Sequence, residues 1–258
     1  MATNKDIAMN TKQNVEQEKR NTVLICSNDN EMYKPFVEPV AKAWENMGFN
    51  VMVITLDDNN LLVDKSEVPS ANQAQMIRML WPALHPDTKF ITTDVDMLPL
   101  NREYFHEAME LVEAKDDLIN LSADAYPGKI RMPICYFAGY GSAFSTVTGV
   151  SSKSDISIVM KQWWSESMGL SDRERWATDE KAFTSRAVLA SNQGLINLKG
   201  YARGWPQGMA KDRIDRGSWH YDLNRLMNNE YIDSHMLRPL ENHKDQLAPL
   251  FEHMGVKI

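Results

Sequence analysis

Lys89-Phe90-Ile91-Thr92-Thr93-Asp94-Val95-Asp96 decides how this chain is read. A short run rich in apolar and β-branched residues delivers two carboxylates one residue apart, as a buried strand carrying acids at its tip would. Side chains alternate between the faces of a strand, so Asp94 and Asp96 point the same way if the strand continues. A bend there lets both reach one cation. Two like charges held that close are costly without a positive partner, and a hard divalent ion that also binds phosphate oxygens is the expected one. A bare Asp-x-Asp also occurs as a plain acidic turn after a strand, so the surrounding sequence has to decide.

Upstream, Thr22-Val23-Leu24-Ile25-Cys26 reads as a buried strand closed by the turn-forming run Ser27-Asn28-Asp29-Asn30. Residues 35–47 place Phe36, Val37, Val40, Ala43, Trp44 and Met47 at helical spacing, and Gly48 is the expected stop. Phe49 to Leu56 reads as a second strand and 71–84 as a second helix. Strand, helix, strand, helix, strand within this span predicts a parallel sheet with crossover helices. Ligands of such sheets sit beyond the carboxyl ends of the strands, where both the Ser27–Asn30 turn and the Asp94/Asp96 pair fall. Further on, the pattern predicts a helix over 101–115, a strand to Ala123, and helices over 154–168 and 178–190. Residues 1–21 are polar and without periodicity, a disordered leader. One mixed α/β domain over 22–223, followed by a helical tail at 224–258 packed on it, is the expected organisation.

Composition narrows the function classes. The chain has 258 residues, enough to bury a full core, and a net charge of −7 with the two signs interspersed. A basic nucleic-acid-binding face is therefore not expected. No apolar run reaches the roughly 18 residues of a membrane span, and no signal-peptide core is evident. The two cysteines, Cys26 and Cys135, lie in apolar surroundings and read as reduced buried thiols, which points to the cytoplasm. No P-loop, dinucleotide fingerprint, zinc spacing or esterase elbow is present.

Residues 75–100, Gln-Met-Ile-Arg-Met-Leu-Trp-Pro-Ala-Leu-His-Pro-Asp-Thr-Lys-Phe-Ile-Thr-Thr-Asp-Val-Asp-Met-Leu-Pro-Leu, resemble the central signature of GT-A fold nucleotide-sugar glycosyltransferases. The pattern is similar to that of the glycogenin and lipopolysaccharide galactosyltransferase family: an Arg on a helix, a proline-marked helix end, an apolar strand and Asp-x-Asp. A looser resemblance links the chain to glycosyltransferases encoded by large DNA viruses. The resemblance implies a GT-A type, Rossmann-like α/β domain whose central sheet is mixed, mostly parallel and flanked by helices. It also implies a metal-dependent transfer of a sugar from a nucleotide sugar, a UDP-sugar by preference, to a hydroxyl of a glycan or glycoconjugate. Retention of anomeric configuration is favoured.

Carried onto this sequence, the resemblance gives Asp94 to the ribose and the metal, Asp96 to the metal, and Arg78, with Val95, to the donor. Manganese or magnesium suits such oxygen and imidazole ligands. Ser27, Asn28, Asp29 and Asn30 occupy the place of the nucleobase and ribose site. His220, in Trp219-His220-Tyr221, takes the place of a third metal ligand, although the family's Gly-x-x-Lys-Pro-Trp continuation is missing. Asp179 and Glu180 stand where the family has an Asp-Gln pair beside the donor sugar, with Asp179 the first choice as catalytic acid and Glu180 the second. The stretch Tyr136–Phe144 resembles the strand and turn lining the donor pocket, with Gly139 letting backbone approach the ligand.

From the residues themselves, Lys211, Arg213 and Arg216 offer positive charge to a diphosphate. Asp124 is placed to hold sugar hydroxyls, and Trp205 or Trp219 to stack on a sugar face. Local chemistry offers duller accounts of the same residues. Thr178 reads as a helix N-cap with Asp179 and Glu180 in the first turn, and Asn/Asp-rich runs form turns unaided. Two other functions stay open: an aspartate-nucleophile phosphohydrolase, whose signature is also Asp-x-Asp after a strand, and a sugar-binding domain without catalysis.

Overall fold

The computed structural model describes residues 21–123, 125, 132–201 and 212–258. In chain order its first half forms β1 (Asn21–Asn28), α1 (Val37–Asn46), β2 (Asn50–Leu56), α2 (Ser70–Leu80), β3 (Lys89–Thr93), β4 (Met97–Pro99), α3 (Arg102–Glu110) and β5 (Asp117–Asn120). There follow β6 (Tyr136–Tyr140), α4 (Gly141–Thr148), α5 (Lys153–Glu166), α6 (Asp172–Trp176), α7 (Thr178–Asn192), β7 (Asn197–Gly200), β8 (Arg213–Asp215), α8 (Leu223–Met227), β9 (Asp233–His235) and α9 (Lys244–His253).

Six strands make the central sheet in the order β2-β1-β3-β6-β5-β7. Only β6 among them runs antiparallel to its neighbours, β3 and β5. The chain is thus an α/β protein with a mixed, mostly parallel sheet flanked by helices. Strand alternation splits its apolar residues between two cores. Val23, Ile25, Ile91 and Tyr136 face one, packed with Trp44 of α1 and Phe105 of α3. Leu24, Phe90 and Phe137 face the other, packed with Met76, Ile77 and Leu80 of α2 and Phe183 of α7. Helices α1 and α2 therefore lie on opposite faces. The chain leaves β1 for β2 on one side and then returns to β3 on the other, so the crevice past the carboxyl ends of β1 and β3 is a topological switch point.

A second sheet, β4-β9-β8, begins immediately after Asp96. Strand β9 pairs antiparallel with β4 and parallel with β8, which hangs two C-terminal strands over the tip of β3. The expected helical tail at 224–258 is thereby corrected: it contains α8 and α9, but its middle is the central strand of this small sheet.

Several element ends differ from the periodicity reading, each for a local reason. Strand β1 continues through Ser27 and Asn28 instead of turning at Ser27, since both still pair with β2. Helix α3 ends at Glu110, not near 115, because the Asp117 carboxylate accepts from the backbone N–H groups of Glu113 and Ala114 and draws them out of the helix. Strand β5 stops at Asn120, whose side-chain oxygen accepts from Ser122 N at 2.9 Å and bends the chain before Ala123. Thr178 is not the cap of α7; Ala177 holds that position, and Thr178 Oγ1 donates to the Arg175 carbonyl at 2.6 Å. Of the expected leader, 1–21, residues 1–20 lie outside the described residues and Asn21 already belongs to β1. Among those described, no helix is long and apolar enough to cross a membrane.

The glycines of Tyr136–Phe144 serve packing rather than ligand approach. Gly139 pairs with Phe90, toward the start of β3 and away from Asp94, and a Cβ there would stand 2.8 Å from the Asp117 carbonyl oxygen. At Gly141, the first residue of α4, a Cβ would stand 2.2 Å from the His85 carbonyl oxygen and 2.3 Å from that of Pro82. Both obstacles are backbone and cannot swing aside. Gly141→Ala should therefore cost about 1–3 kcal/mol, the usual penalty of overpacking. Urea denaturation checks this; a midpoint equal to that of the unsubstituted protein would refute the close approach.

Candidate functional site

At the switch point lies a cavity of about 890 Å³, walled by the ends of β1 and β3, by α2, by the start of α7 and by the small sheet. Ser27, Asn28, Asp94, Val95 and Asp96 enter it from the strand ends, Arg78 from α2, and Asp179 and Glu180 from α7. Segments that the sequence keeps far apart thus meet at one place.

Arg78 is the first node. Its guanidinium is buried (6% exposed) and forks between two acids: Nη1 contacts Asp94 Oδ1, and Nη2 donates to Asp179 Oδ2 at 2.9 Å. Asp179 is itself 3% exposed, and its other oxygen accepts from Glu180 N at 2.8 Å. A buried guanidinium and a buried carboxylate such as Asp179 are stable only with such geometry, because both have given up their hydration, while Asp94 stays partly exposed.

Asp96 is the second node. Its Oδ2 accepts from Arg216 Nη1 at 2.6 Å, with His235 Nε2 at 3.5 Å and Arg238 Nη1 at 3.6 Å. Burial alone pushes the Asp96 carboxyl up, but His235 and Arg216 outweigh it and hold it below the ordinary carboxylate range. His235 is a bridge: its Nδ1 lies 3.4 Å from Asp215 Oδ2. Burial pulls its imidazole down, yet the two flanking carboxylates raise it overall. Arg238 also lies over the Tyr33 ring, 4.6 Å from its centroid. Arg213 reaches the cavity wall too, but its charge is committed: it binds Asp233, directly across the β8–β9 pair, through Nε at 2.7 Å and Nη2 at 2.8 Å.

Not every residue singled out in the sequence arrives. Strand β3 ends at Thr93, and the turn that follows sends Asp94 to Arg78 and Asp96 to Arg216, so the two carboxylates are neutralised by different cations. Asp29 and Asn30 are exposed beyond the strand end and do not line the cavity, nor does Gly139. His220 is exposed and does not line the cavity; His235 stands beside Asp96 instead. Trp219 is half-buried against the first core and meets Tyr221 edge-on. Asp124, Trp205 and Lys211 lie outside the described residues. Both cysteines are free, buried and line the cavity. Burial pushes the Cys26 thiol well up, so it stays protonated and unreactive. Sequence reading missed His235 and Arg238. A short Asp-Ser-His run offers no periodicity, and only the pairing of β9 with β4 brings it to the site.

Among the described residues, no group of three His, Cys, Asp or Glu side chains is assembled at metal-binding spacing. The donor chemistry nevertheless fits a hard divalent ion in part. Asp96 and His235 present a carboxylate oxygen and an imidazole nitrogen to the same cavity, and such ions are commonly held by one or two protein ligands plus substrate phosphates. Arg216 occupies the same Asp96 oxygen and would have to leave it. Compared with protein-family models and with curated proteins, the chain matches none.

Two measurements test the nodes. Arg78→Met leaves Asp179 buried beside Asp94 without its cation and should cost about 3–5 kcal/mol, part of which Asp179→Asn in the same chain restores. A loss below 1 kcal/mol would mean that the fork is not a buried ion pair. The second is a pH profile. The His235 contribution is complete below its ordinary value of 6.5 and is lost as pH rises through its raised folded value. The Asp96 contribution is complete above 3.8 and is lost as pH falls through its lowered one. Folding stability from this node is therefore fullest between those two ordinary values. His235→Gln should remove the decline above pH 6.5 seen by chemical denaturation; parallel profiles would contradict the assignment.

Proposed function

We propose that the protein is a metal-dependent glycosyltransferase of GT-A type that moves a sugar from a nucleotide-sugar donor, a UDP-sugar by preference, to a hydroxyl of a glycan or glycoconjugate. The observation that carries this reading is the Arg78 fork. It joins the Asp-x-Asp turn at the tip of β3 to the acids that open α7, inside a cavity at the switch point of the sheet. A phosphohydrolase using Asp94 as nucleophile fits less well, because that carboxylate is held by a guanidinium.

Each residue has a task in this chemistry. Ser27 and Asn28, at the carboxyl end of β1, face the cavity where a nucleobase and ribose would lie, and the Asn28 amide, oriented by its bond to Ser70 Oγ at 3.2 Å, has further hydrogen-bonding capacity. Breaking the bond between sugar and diphosphate builds negative charge on the leaving group. Arg216 and Arg238 are placed to share it: both reach Asp96 on the cavity wall, and Arg238 also donates to the Tyr33 hydroxyl. A divalent ion, when held by Asp96 and His235, would act as a Lewis acid on the same phosphates. Asp179 is fixed by Arg78 and by Glu180 N, so it is suited to anchor a sugar hydroxyl and to stabilise positive charge at the anomeric centre, not to swing. Glu180, half-buried beside Asp179 on the cavity wall, is assigned to take the acceptor proton.

Thermal unfolding with nucleotides tests the reading. UDP together with manganese should raise the melting temperature of the unsubstituted protein, and Asp96→Asn should abolish the manganese-dependent part. An equal shift in that variant would remove Asp96 from the metal site. Asp179→Asn should still be stabilised by UDP while sugar transfer falls by about 100-fold or more. Full transfer in that variant, or brisk hydrolysis of p-nitrophenyl phosphate by the unsubstituted protein, would overturn the assignment.

A further inference from the structure

Trp176 is 48% exposed, yet it lines the cavity next to Asp179 and Glu180. It ends α6, where three contacts fix the backbone. Ser171 and Glu174 form a capping box, Ala177 N donates to the Glu174 carbonyl at 3.3 Å, and Thr178 Oγ1 closes onto Arg175. Arg175 turns the other way and stacks over Trp164, its guanidinium 4.1 Å from the ring centroid, which leaves the next residue facing the cavity. The polar edge of the Trp176 indole is also spoken for. With the Gln75 amide oriented so that its oxygen faces the ring, Trp176 Nε1 donates to it at 3.3 Å, and the amide donates to the Trp176 carbonyl at 3.3 Å.

We propose that Trp176 is the platform on which the acceptor sugar stacks, and that the acceptor is a pyranoside. The inference deepens the glycosyltransferase reading and rests on it. An indole whose N–H is satisfied by the protein offers a ligand only its apolar face. Solitary exposed aromatics need no explanation on an open surface, but this one borders two carboxylates inside a cavity. A flat apolar face next to carboxylate acceptors matches a pyranose, which has a C–H face and a rim of hydroxyl donors. A peptide hydroxyl would use the carboxylates and leave the ring in water. Trp176 lies one helical corner from Glu180, so a stacked sugar presents its hydroxyls to the residue assigned to take the acceptor proton.

The test uses the full chain with UDP-sugars as donors and two acceptor sets, methyl pyranosides and Ser/Thr peptides. Trp176→Ala should raise the KM for the pyranoside acceptor about tenfold or more, with a smaller change in kcat. Trp176→Phe keeps an aromatic face and should restore that KM to within about threefold. The fluorescence change produced by pyranoside in the UDP-bound protein should vanish in Trp176→Phe, because the reporting ring is gone. An unsubstituted protein that neither transfers nor hydrolyses any UDP-sugar overturns the transferase reading and this one with it. Transfer to pyranosides with an unchanged KM in Trp176→Ala overturns the platform alone. Transfer to peptides and to no pyranoside overturns the acceptor class.

Discussion

A guanidinium buried between two carboxylates sets the terms for the rest of this molecule. Arg78 leaves α2 on one face of the sheet and ties the turn after β3 to the first turn of α7. Removing Arg78 and Asp179 from water is expensive, and only their pairing, with the partly exposed Asp94 as a second partner, offsets it. That requirement fixes where α2 and α7 sit relative to the strand tip. It also explains why the acids of the Asp-x-Asp turn diverge. With Asp94 drawn to Arg78, Asp96 turns to the other wall, and a separate set of cations meets it there.

The small sheet then acquires a reason. Strand β9 runs beside β4, which issues directly from the Asp-x-Asp turn, so the register of that pairing sets where His235 falls: opposite Met97, one residue past Asp96. Arg213 and Asp233 lock β8 to β9 across the buried pair, and Arg216 follows one residue after β8 ends. The resulting cavity is close to electrically balanced, with arginines alternating with aspartates. A diphosphate entering such a site has to displace carboxylates from guanidinium partners or bring positive charge with it. A divalent ion at Asp96 and His235 would do the second and release Arg216 for the first.

How much of this could be read in the sequence depends on the range of the interactions involved. The strands and helices of residues 21–93 follow from apolar periodicity, which is local, and the strand-tip location of Asp94 and Asp96 follows from crossover topology. Misplaced ends trace to single side-chain hydrogen bonds, such as Asp117 on the backbone of Glu113 and Ala114, which compete with the helix and leave no periodic signature. The exchange of His220 for His235 has a longer-range cause. The two histidines look alike in sequence, and only a three-residue strand pairing across more than a hundred positions separates them. Gly139 and Gly141 mislead for a related reason: a glycine that admits a ligand and one that admits another strand or turn read the same.

The two halves of the cavity are built on different physics, and that difference bears on how such a site is used. The side holding Arg78, Asp96 and the strand ends is made of buried ion pairs on regular elements, where a misplacement of one group leaves another charge unpaired. Such a wall is suited to a ligand part that never varies, as a nucleoside diphosphate is. The rim beside it is a half-exposed tryptophan on a five-residue helix, held by one glutamine and a capped corner. Changing that rim disturbs no buried charge, so it is where acceptor preference can be altered at little cost to the fold. A rigid charged floor with an adjustable aromatic lip is the arrangement expected when one substrate is fixed by its leaving group and the other is chosen by its shape.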